Sequence, residues 1–219
     1  DDWFIGTTAM DAGIPSSIKQ LTATFDFNDL ASLEAVFAKH AGRIACVIME
    51  PCKYEPPQDN FLSQAQSMCK HHGALFVLDE TITGFRMHAG GGQALYGITP
   101  DLSVWGKGMA NGFSLSALAG RREFMELGGL KSERPRVFLL STTHGGETHA
   151  MAAAIATMNV YREEPVVETL HAQGEKLARS WREITANHGL EDYLPVTGFP
   201  CNLVFGTHNG HGQPSQGFR

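Results

Sequence analysis

The fold is decided by Ala74-Leu75-Phe76-Val77-Leu78-Asp79 together with Leu102-Ser103-Val104-Trp105-Gly106-Lys107. Each stretch is a short apolar run closed by polar or turn residues, which is typical of a buried strand in a parallel sheet. Helical and strand patterns alternate along the chain, so the sequence predicts an α/β fold whose mostly parallel sheet is sandwiched by helices. Ligands bind such sheets at the carboxyl ends of the strands. We therefore expect Asp79 and Lys107 to face one crevice.

A carboxylate and an amine at one sheet edge suit an aldehyde cofactor, pyridoxal phosphate. The amine of Lys107 can condense with the aldehyde as a Schiff base, while Asp79 holds the pyridine nitrogen protonated. Each residue also has a structural interpretation, because a strand-end Asp often caps a helix and a Gly-Lys turn is usually solvated.

Longer motifs favour the cofactor interpretation. In chain order they are Ile48-Met49-Glu50-Pro51, Leu78-Asp79-Glu80-Thr81-Ile82-Thr83-Gly84-Phe85-Arg86, Gly90-Gly91-Gly92-Gln93-Ala94-Leu95-Tyr96-Gly97, Thr99-Pro100-Asp101-Leu102, Gly106-Lys107-Gly108 and Ser141-Thr142-Thr143-His144-Gly145-Gly146-Glu147-Thr148-His149-Ala150. Together they resemble the class III pyridoxal-phosphate aminotransferases over nearly the whole chain. Within that class they most resemble the glutamate-1-semialdehyde aminomutase group, which implies a fold type I transferase.

The resemblance assigns roles residue by residue. It makes Lys107 the Schiff-base lysine and Asp79 the partner of the pyridine nitrogen. Thr81 stands where the family usually packs an apolar side chain on the cofactor ring. Thr143 matches a threonine that reaches the cofactor phosphate of the neighbouring subunit. Glu50 is a further candidate, either as a carboxylate that supports the cofactor site or as a plain strand end.

Two glycine-rich segments receive different predictions. Gly145-Gly146 precedes a helix that begins at Thr148, and free amides at a helix N-terminus favour phosphate. Gly90-Gly91-Gly92 does not follow an obvious strand, so we predict a flexible lid or turn there.

The implied activity is amino-group transfer on a small amino or keto compound, with the cofactor passing through its pyridoxamine form in a homodimer with shared sites. An ordinary class III transaminase of an amino sugar or amino acid remains open, as does a noncatalytic relative. A dinucleotide-binding enzyme would need a GxGxxG after a strand, and the sequence has none.

The resemblance also predicts the domain organisation. Residues 1–150 are expected to form a partial large cofactor-binding domain, residues 151–188 connecting helices, and residues 189–219 the start of a small C-terminal α/β domain. Because the family's upstream phosphate loop has no counterpart, we expect a partial chain.

The composition restricts the classes of partner that the protein is expected to bind. The formal net charge of −6 and the absence of a Lys/Arg run argue against nucleic-acid and anionic-membrane partners. No apolar stretch reaches the length of a membrane span. The four cysteines lack CxxC spacing and the histidines lack metal-ligand spacing, so we expect reduced thiols, no metal and a cytoplasmic protein.

The remaining patterns predict individual elements. Predicted strands cover residues 44–49, 115–119, 137–140, 193–196 and 201–205. Predicted helices begin after residues 28–29 and 60, and cover residues 148–161 and 165–187.

Overall fold

The structure is a computed structural model that describes residues 12–52, 54–129, 132–135 and 143–215. Its helices are α1 (Ser16–Lys19), α2 (Leu30–Lys39), α3 (Phe61–His72), α4 (Gly91–Leu95), α5 (Arg122–Met125), α6 (Thr148–Glu163) and α7 (Val166–Asn187). Its strands are β1 (Cys46–Met49), β2 (Leu75–Asp79), β3 (Leu102–Trp105), β4 (Ala117–Gly120), β5 (Val196–Phe199) and β6 (Asn202–Phe205).

The chain forms two compact units, and the first lies within residues 1–47 and 57–76. Here α2 packs against α3, and the Phe37 ring stacks on the His72 ring with centroids 4.4 Å apart. The predicted start of α2 is confirmed, because the Asp29 carboxylate accepts a hydrogen bond from the Ser32 amide at 3.0 Å. Helix α3 begins after Asn60, also as predicted.

The second unit comprises residues 48–56 and 77–219 and holds the sheet edge that concerns function. The strand order is β1-β2-β3-β4. Strands β2 and β3 are parallel, with Asp79 opposite Val104. Strand β4, predicted at residues 115–119, begins two residues later and runs antiparallel to β3. The sheet thus combines parallel pairing at the predicted crevice with an antiparallel neighbour, an orientation that apolar patterns alone do not determine.

Helix α7 and the β5–β6 hairpin pack closely together. A side chain at Gly174 would collide with the backbone of Pro200, so glycine allows the helix to approach the hairpin. Helix α7 follows Pro165 and ends before His188, as predicted. The strand predicted at residues 193–196 begins only at Val196, because the Leu194 amide donates to the Leu190 carbonyl in a turn.

Two predictions are not tested by the structure. The strand expected at residues 137–140 falls outside the described residues. The domain boundaries expected at residues 150 and 188 stay predictions.

Candidate active site at the carboxyl ends of β2 and β3

The structure places Asp79 and Lys107 at the same sheet edge. Asp79 is the last residue of β2, and its partner Val104 lies in β3. The Glu80 amide donates to the Val104 carbonyl at 2.8 Å, which continues the pairing one step past Asp79. Lys107 follows β3 after Gly106. Because the strands are parallel, both side chains leave the sheet at its carboxyl edge.

The half-buried Asp79 carboxylate has one oxygen committed and one available. Oδ1 accepts a hydrogen bond from the Thr81 amide at 2.9 Å. No other hydrogen bond or ion pair joins this carboxylate to the described residues. A carboxylate accepts at both oxygens, so Oδ2 can take a ligand N–H group. This geometry fits a protonated pyridine nitrogen.

Lys107 occupies a constrained backbone position. It opens a 3-10 turn, Lys107–Met109, with a φ of 45°, in the left-handed region that costs an ordinary residue about 1–2 kcal/mol. The Met109 amide donates to the Gly106 carbonyl at 3.1 Å and holds the turn, while Met109 and Ala110 are buried. The Lys107 side chain is exposed and forms no ion pair with the described residues. Strained backbone of this kind concentrates at functional sites.

Thr81 lies beside the backbone that carries Lys107. A Cβ built on Gly106 would come within 3.3 Å of the Thr81 methyl group. Glycine at 106 therefore lets the turn after β2 approach the turn after β3. The structure brings three of the predicted site residues, Asp79, Thr81 and Lys107, into one neighbourhood.

Glu80 is a residue that sequence reasoning left without a role. Its side chain is fully buried, with 0% exposed. Its carboxylate accepts hydrogen bonds from the Gly92 amide at 2.8 Å, the Gln93 amide at 2.6 Å and the Thr83 hydroxyl. It thus caps α4 from the end of β2. The signal in the sequence was a second acid after Asp79, followed by the glycines before Gln93.

The same contacts correct the interpretation of the glycine-rich segment. Where the sequence predicts a flexible lid or turn, Gly91 and Gly92 are buried and begin α4. Gly91 has a φ of 74°, and a Cβ there would lie 2.6 Å from the Glu80 carboxyl carbon. A Cβ on Gly92 would lie 2.5 Å from the Pro51 ring. These glycines permit close packing at the strand ends.

Three aromatic rings pack against the turn that follows Asp79 and the turn that begins at Lys107. The Phe85 ring contacts those of Trp105 and Tyr161 edge-on, with centroids 5.9 Å and 5.4 Å away. The Tyr161 hydroxyl donates to the Phe85 carbonyl at 2.6 Å. Phe85 also packs with Met109 and Ala110, directly after Lys107. The cluster therefore ties α6 to the turn that follows Asp79 and to the turn that begins at Lys107.

Glu50 lies at the end of β1, half-buried, beside the buried Cys52 thiol. Burial raises the pKa of Cys52 to about 12, and the nearby charges of Glu80 and Glu50 add to this effect. A thiol with that pKa is protonated at neutral pH, so Cys52 is not a nucleophile there. Glu50 therefore lies near this thiol, and its role stays a prediction.

Thr143 is exposed ahead of α6. It precedes Gly146, which has a φ of 76°, and the helix starts at Thr148. The Glu147 carboxylate lies 2.8 Å from His144 Nδ1 and 3.3 Å from His149 Nε2, so it bridges two imidazoles across the helix start. No hydrogen bond or ion pair joins Thr143 to the other candidate residues within the described part of the chain.

Comparison with known proteins places this site in a family. The sequence model of the class III aminotransferases matches residues 7–199. The chain belongs to the class III aminotransferase family. It is 34% identical over 205 residues to a glutamate-1-semialdehyde 2,1-aminomutase of Neisseria meningitidis serogroup C / serotype 2a, covering 90% of this chain and 46% of that protein.

Solved structures are also similar to this chain. The FumI protein of Sphingopyxis sp. MTA144, in its PLP internal aldimine form, is 32% identical with a TM-score of 0.81, over 95% of this chain and 49% of that one. A transaminase with PLP bound is 26% identical with a TM-score of 0.79, over 90% of this chain and 46% of that one. The chain thus spans about half the length of these relatives.

This class III chain therefore has the predicted fold type I α/β architecture, and the predictions of a class III enzyme type and of pyridoxal phosphate as cofactor are confirmed. The individual residue roles stay predictions. No helix in the described ranges combines the length and apolar character needed to cross a bilayer. Within those ranges no three His, Cys, Asp or Glu side chains are grouped to hold a metal ion.

Proposed function

We propose that the whole protein transfers an amino group on a small amino or keto compound, in the manner of a glutamate-1-semialdehyde aminomutase. The observation that carries the proposal is the placement of Asp79 and Lys107 at the carboxyl ends of adjacent parallel strands. Asp79 offers its Oδ2 oxygen and Lys107 its amine, and neither of these two groups hydrogen-bonds or forms an ion pair with a described residue.

Asp79 would hold the pyridine nitrogen of the cofactor protonated. Opposite unit charges about 4 Å apart interact by about 4 kcal/mol at an effective dielectric constant of 20. Bound pyridoxal phosphate supplies an electron sink for the reacting carbon, and the ring charge maintained by Asp79 keeps that sink effective.

Lys107 would serve first as the anchor and then as the acid and base. Its amine would hold the cofactor through the aldehyde group. When it is not bound to the cofactor, the same amine would accept and return a proton at the substrate carbon. The strained turn aims the side chain from a fixed backbone point, which favours such a transfer.

The remaining candidate residues would complete the cofactor site. Thr81, beside Gly106, would contact the ring, and Glu50 would support the site from the end of β1. Thr143, before the N-terminus of α6, would bind the phosphate of a neighbouring subunit in a homodimer with shared sites.

The substrate proposal rests on relatives. An aminomutase follows from the Neisseria enzymes, whereas the transaminase structures favour transfer between two molecules as a second candidate. Glutamate-1-semialdehyde offered alone separates them, since only an aminomutase converts it without a second amino or keto compound. A noncatalytic relative is disfavoured by the intact Asp79 and Lys107. The four cysteines show no CxxC spacing, which supports a cytoplasmic location.

The first test is chemical mapping of the cofactor linkage. The whole protein is loaded with pyridoxal phosphate, reduced with borohydride and digested, and the modified peptide is identified by mass spectrometry. We expect the adduct on Lys107. Lys107→Ala should abolish labelling, whereas Lys176→Ala, which removes an exposed lysine of α7, should leave it intact. An adduct on another lysine in the wild type contradicts the assignment.

A further inference from the structure

Two consecutive carboxylates, Asp79 and Glu80, lie at the end of β2 and directly after it, and the structure gives them opposite surroundings. Asp79 is half-buried, with one oxygen available, whereas Glu80 is fully buried. Successive side chains of a strand point to opposite sides, which separates the pair. Glu80 forms no ion pair with a described Lys, Arg or His residue. Its charge is compensated by three hydrogen-bond donors instead.

These three donors connect Glu80 to separate pieces of chain. The Thr83 hydroxyl belongs to the turn after β2, while the Gly92 and Gln93 amides belong to the first turn of α4. The Glu80 carbonyl also accepts from the Gly84 amide at 2.9 Å, which closes the turn. That turn contains the Thr81 amide, the donor that orients Asp79.

We propose that Glu80 is a positioning residue that fixes the direction of the Asp79 carboxylate and so sets its contact with the cofactor ring nitrogen. This inference rests on the proposed function and deepens it. Glu80 touches neither cofactor nor substrate in this scheme. It acts through the Thr81–Gly84 turn, which it fastens to α4 from inside the protein.

Glutamine has the shape of glutamate but only one of its two acceptor oxygens. Oε2 receives Thr83 and Gly92, and Oε1 receives Gln93. An amide group has one acceptor oxygen and an NH₂ donor. In either orientation of Glu80→Gln the NH₂ group faces a backbone N–H of α4, so a buried donor loses its acceptor. The connection between the turn and α4 is then weakened without a cavity being created.

The test uses the whole protein and four variants, Glu80→Gln, Asp79→Asn, the double variant and the exposed control Glu126→Gln. The dissociation constant for pyridoxal phosphate and the pH dependence of the bound cofactor's absorbance are measured well below each melting temperature. We expect Glu80→Gln to weaken binding about tenfold and to shift the absorbance profile toward that of Asp79→Asn. Glu126→Gln should match the wild type.

The double variant decides between positioning and plain stabilisation. If Glu80 acts through Asp79, adding Glu80→Gln to Asp79→Asn should change cofactor affinity by less than about twofold. If Glu80 only stabilises the fold, its substitution should lower the melting temperature but leave the absorbance profile of the folded protein unchanged. An unchanged profile, or effects that multiply independently in the double variant, overturns the inference.

Thr83 provides a second route if Glu80→Gln fails to fold. Thr83→Val removes one donor to Glu80 while keeping the side-chain shape, and Thr83→Ser keeps the hydroxyl. We expect Thr83→Val to shift the absorbance profile in the same direction as Asp79→Asn, and Thr83→Ser to leave it unchanged. Equal profiles for both overturn the inference. If the wild-type protein carries no cofactor on Lys107, the proposed function fails together with this inference. If the Lys107 linkage is present, equal profiles contradict only the inference about Glu80.

Discussion

Replacing Gly91 by alanine should destabilise the protein far more than the same replacement at Gly97. Both glycines have positive φ values, 74° and 66°. The left-handed backbone therefore costs an alanine about 1–2 kcal/mol at either position. The surroundings differ, because nothing lies within 4 Å of a Cβ at Gly97, whereas a Cβ at Gly91 would lie 2.6 Å from the Glu80 carboxyl carbon.

The difference between the two variants measures the contact with Glu80. The buried carboxylate must move to admit a methyl group, and it would lose a hydrogen bond to the Gly92 or Gln93 amide. A hydrogen bond to a charged group contributes about 1.5–3 kcal/mol. We expect Gly91→Ala to lower the free energy of unfolding by about 2–3 kcal/mol more than Gly97→Ala does.

Urea denaturation of both variants at 25 °C gives this difference directly, provided that the denaturant slope stays unchanged. A double-mutant cycle provides the control. In a Glu80→Ala background the obstacle is gone, so Gly91→Ala should cost about as much as Gly97→Ala. If Gly91→Ala and Gly97→Ala already agree within about 0.5 kcal/mol in the parent protein, the proposed clash with Glu80 does not exist.

Further predictions concern the aromatic cluster and the shared site. Tyr161→Phe keeps the ring contacts but removes the hydrogen bond to the Phe85 carbonyl, so urea denaturation should show a loss of about 1–2 kcal/mol. Unchanged stability would mean that this bond contributes nothing. Mixing Lys107→Ala subunits with Thr143→Ala subunits should restore activity, because a heterodimer with shared sites contains one intact site. Heterodimers without activity would show that Thr143 acts within its own chain.

The secondary structure near the site was readable from sequence because apolar runs and caps are local signals. The runs ending at Asp79 and Trp105 became β2 and β3, and Asp29 capped α2 as its residue type predicts. The direction of a strand, in contrast, is not determined by its local sequence. The antiparallel pairing of β4 depends on partners that the apolar pattern does not encode. The start of β5 was misplaced because Leu194 is apolar and yet lies in a turn, where its carbonyl accepts from the Trp181 indole at 2.8 Å.

The candidate site was predictable only where chemistry is visible in residue type. A lysine and an aspartate at strand ends suggested a cofactor, and the structure places both at one edge. The constraint on Lys107 was not visible, since a positive φ at a non-glycine residue is imposed by its surroundings. The conformation of Gly91 and Gly92 was likewise not predictable from residue type. Their conformation follows from Glu80, which lies 12 residues from Gly92 in sequence.

Adjacent acids at a strand end illustrate how one local sequence can supply a reactive group and its support. The first carboxylate, Asp79, keeps an oxygen open, which a ligand-binding group requires. The second, Glu80, is satisfied by two backbone amides and a hydroxyl, which a buried charge requires. Exchanging the two residue types would leave the longer side chain toward the ligand and the shorter one unable to reach α4. The order Asp-Glu is therefore informative, because the inward side chain must span from the sheet to a helix while the outward one must stay short and fixed.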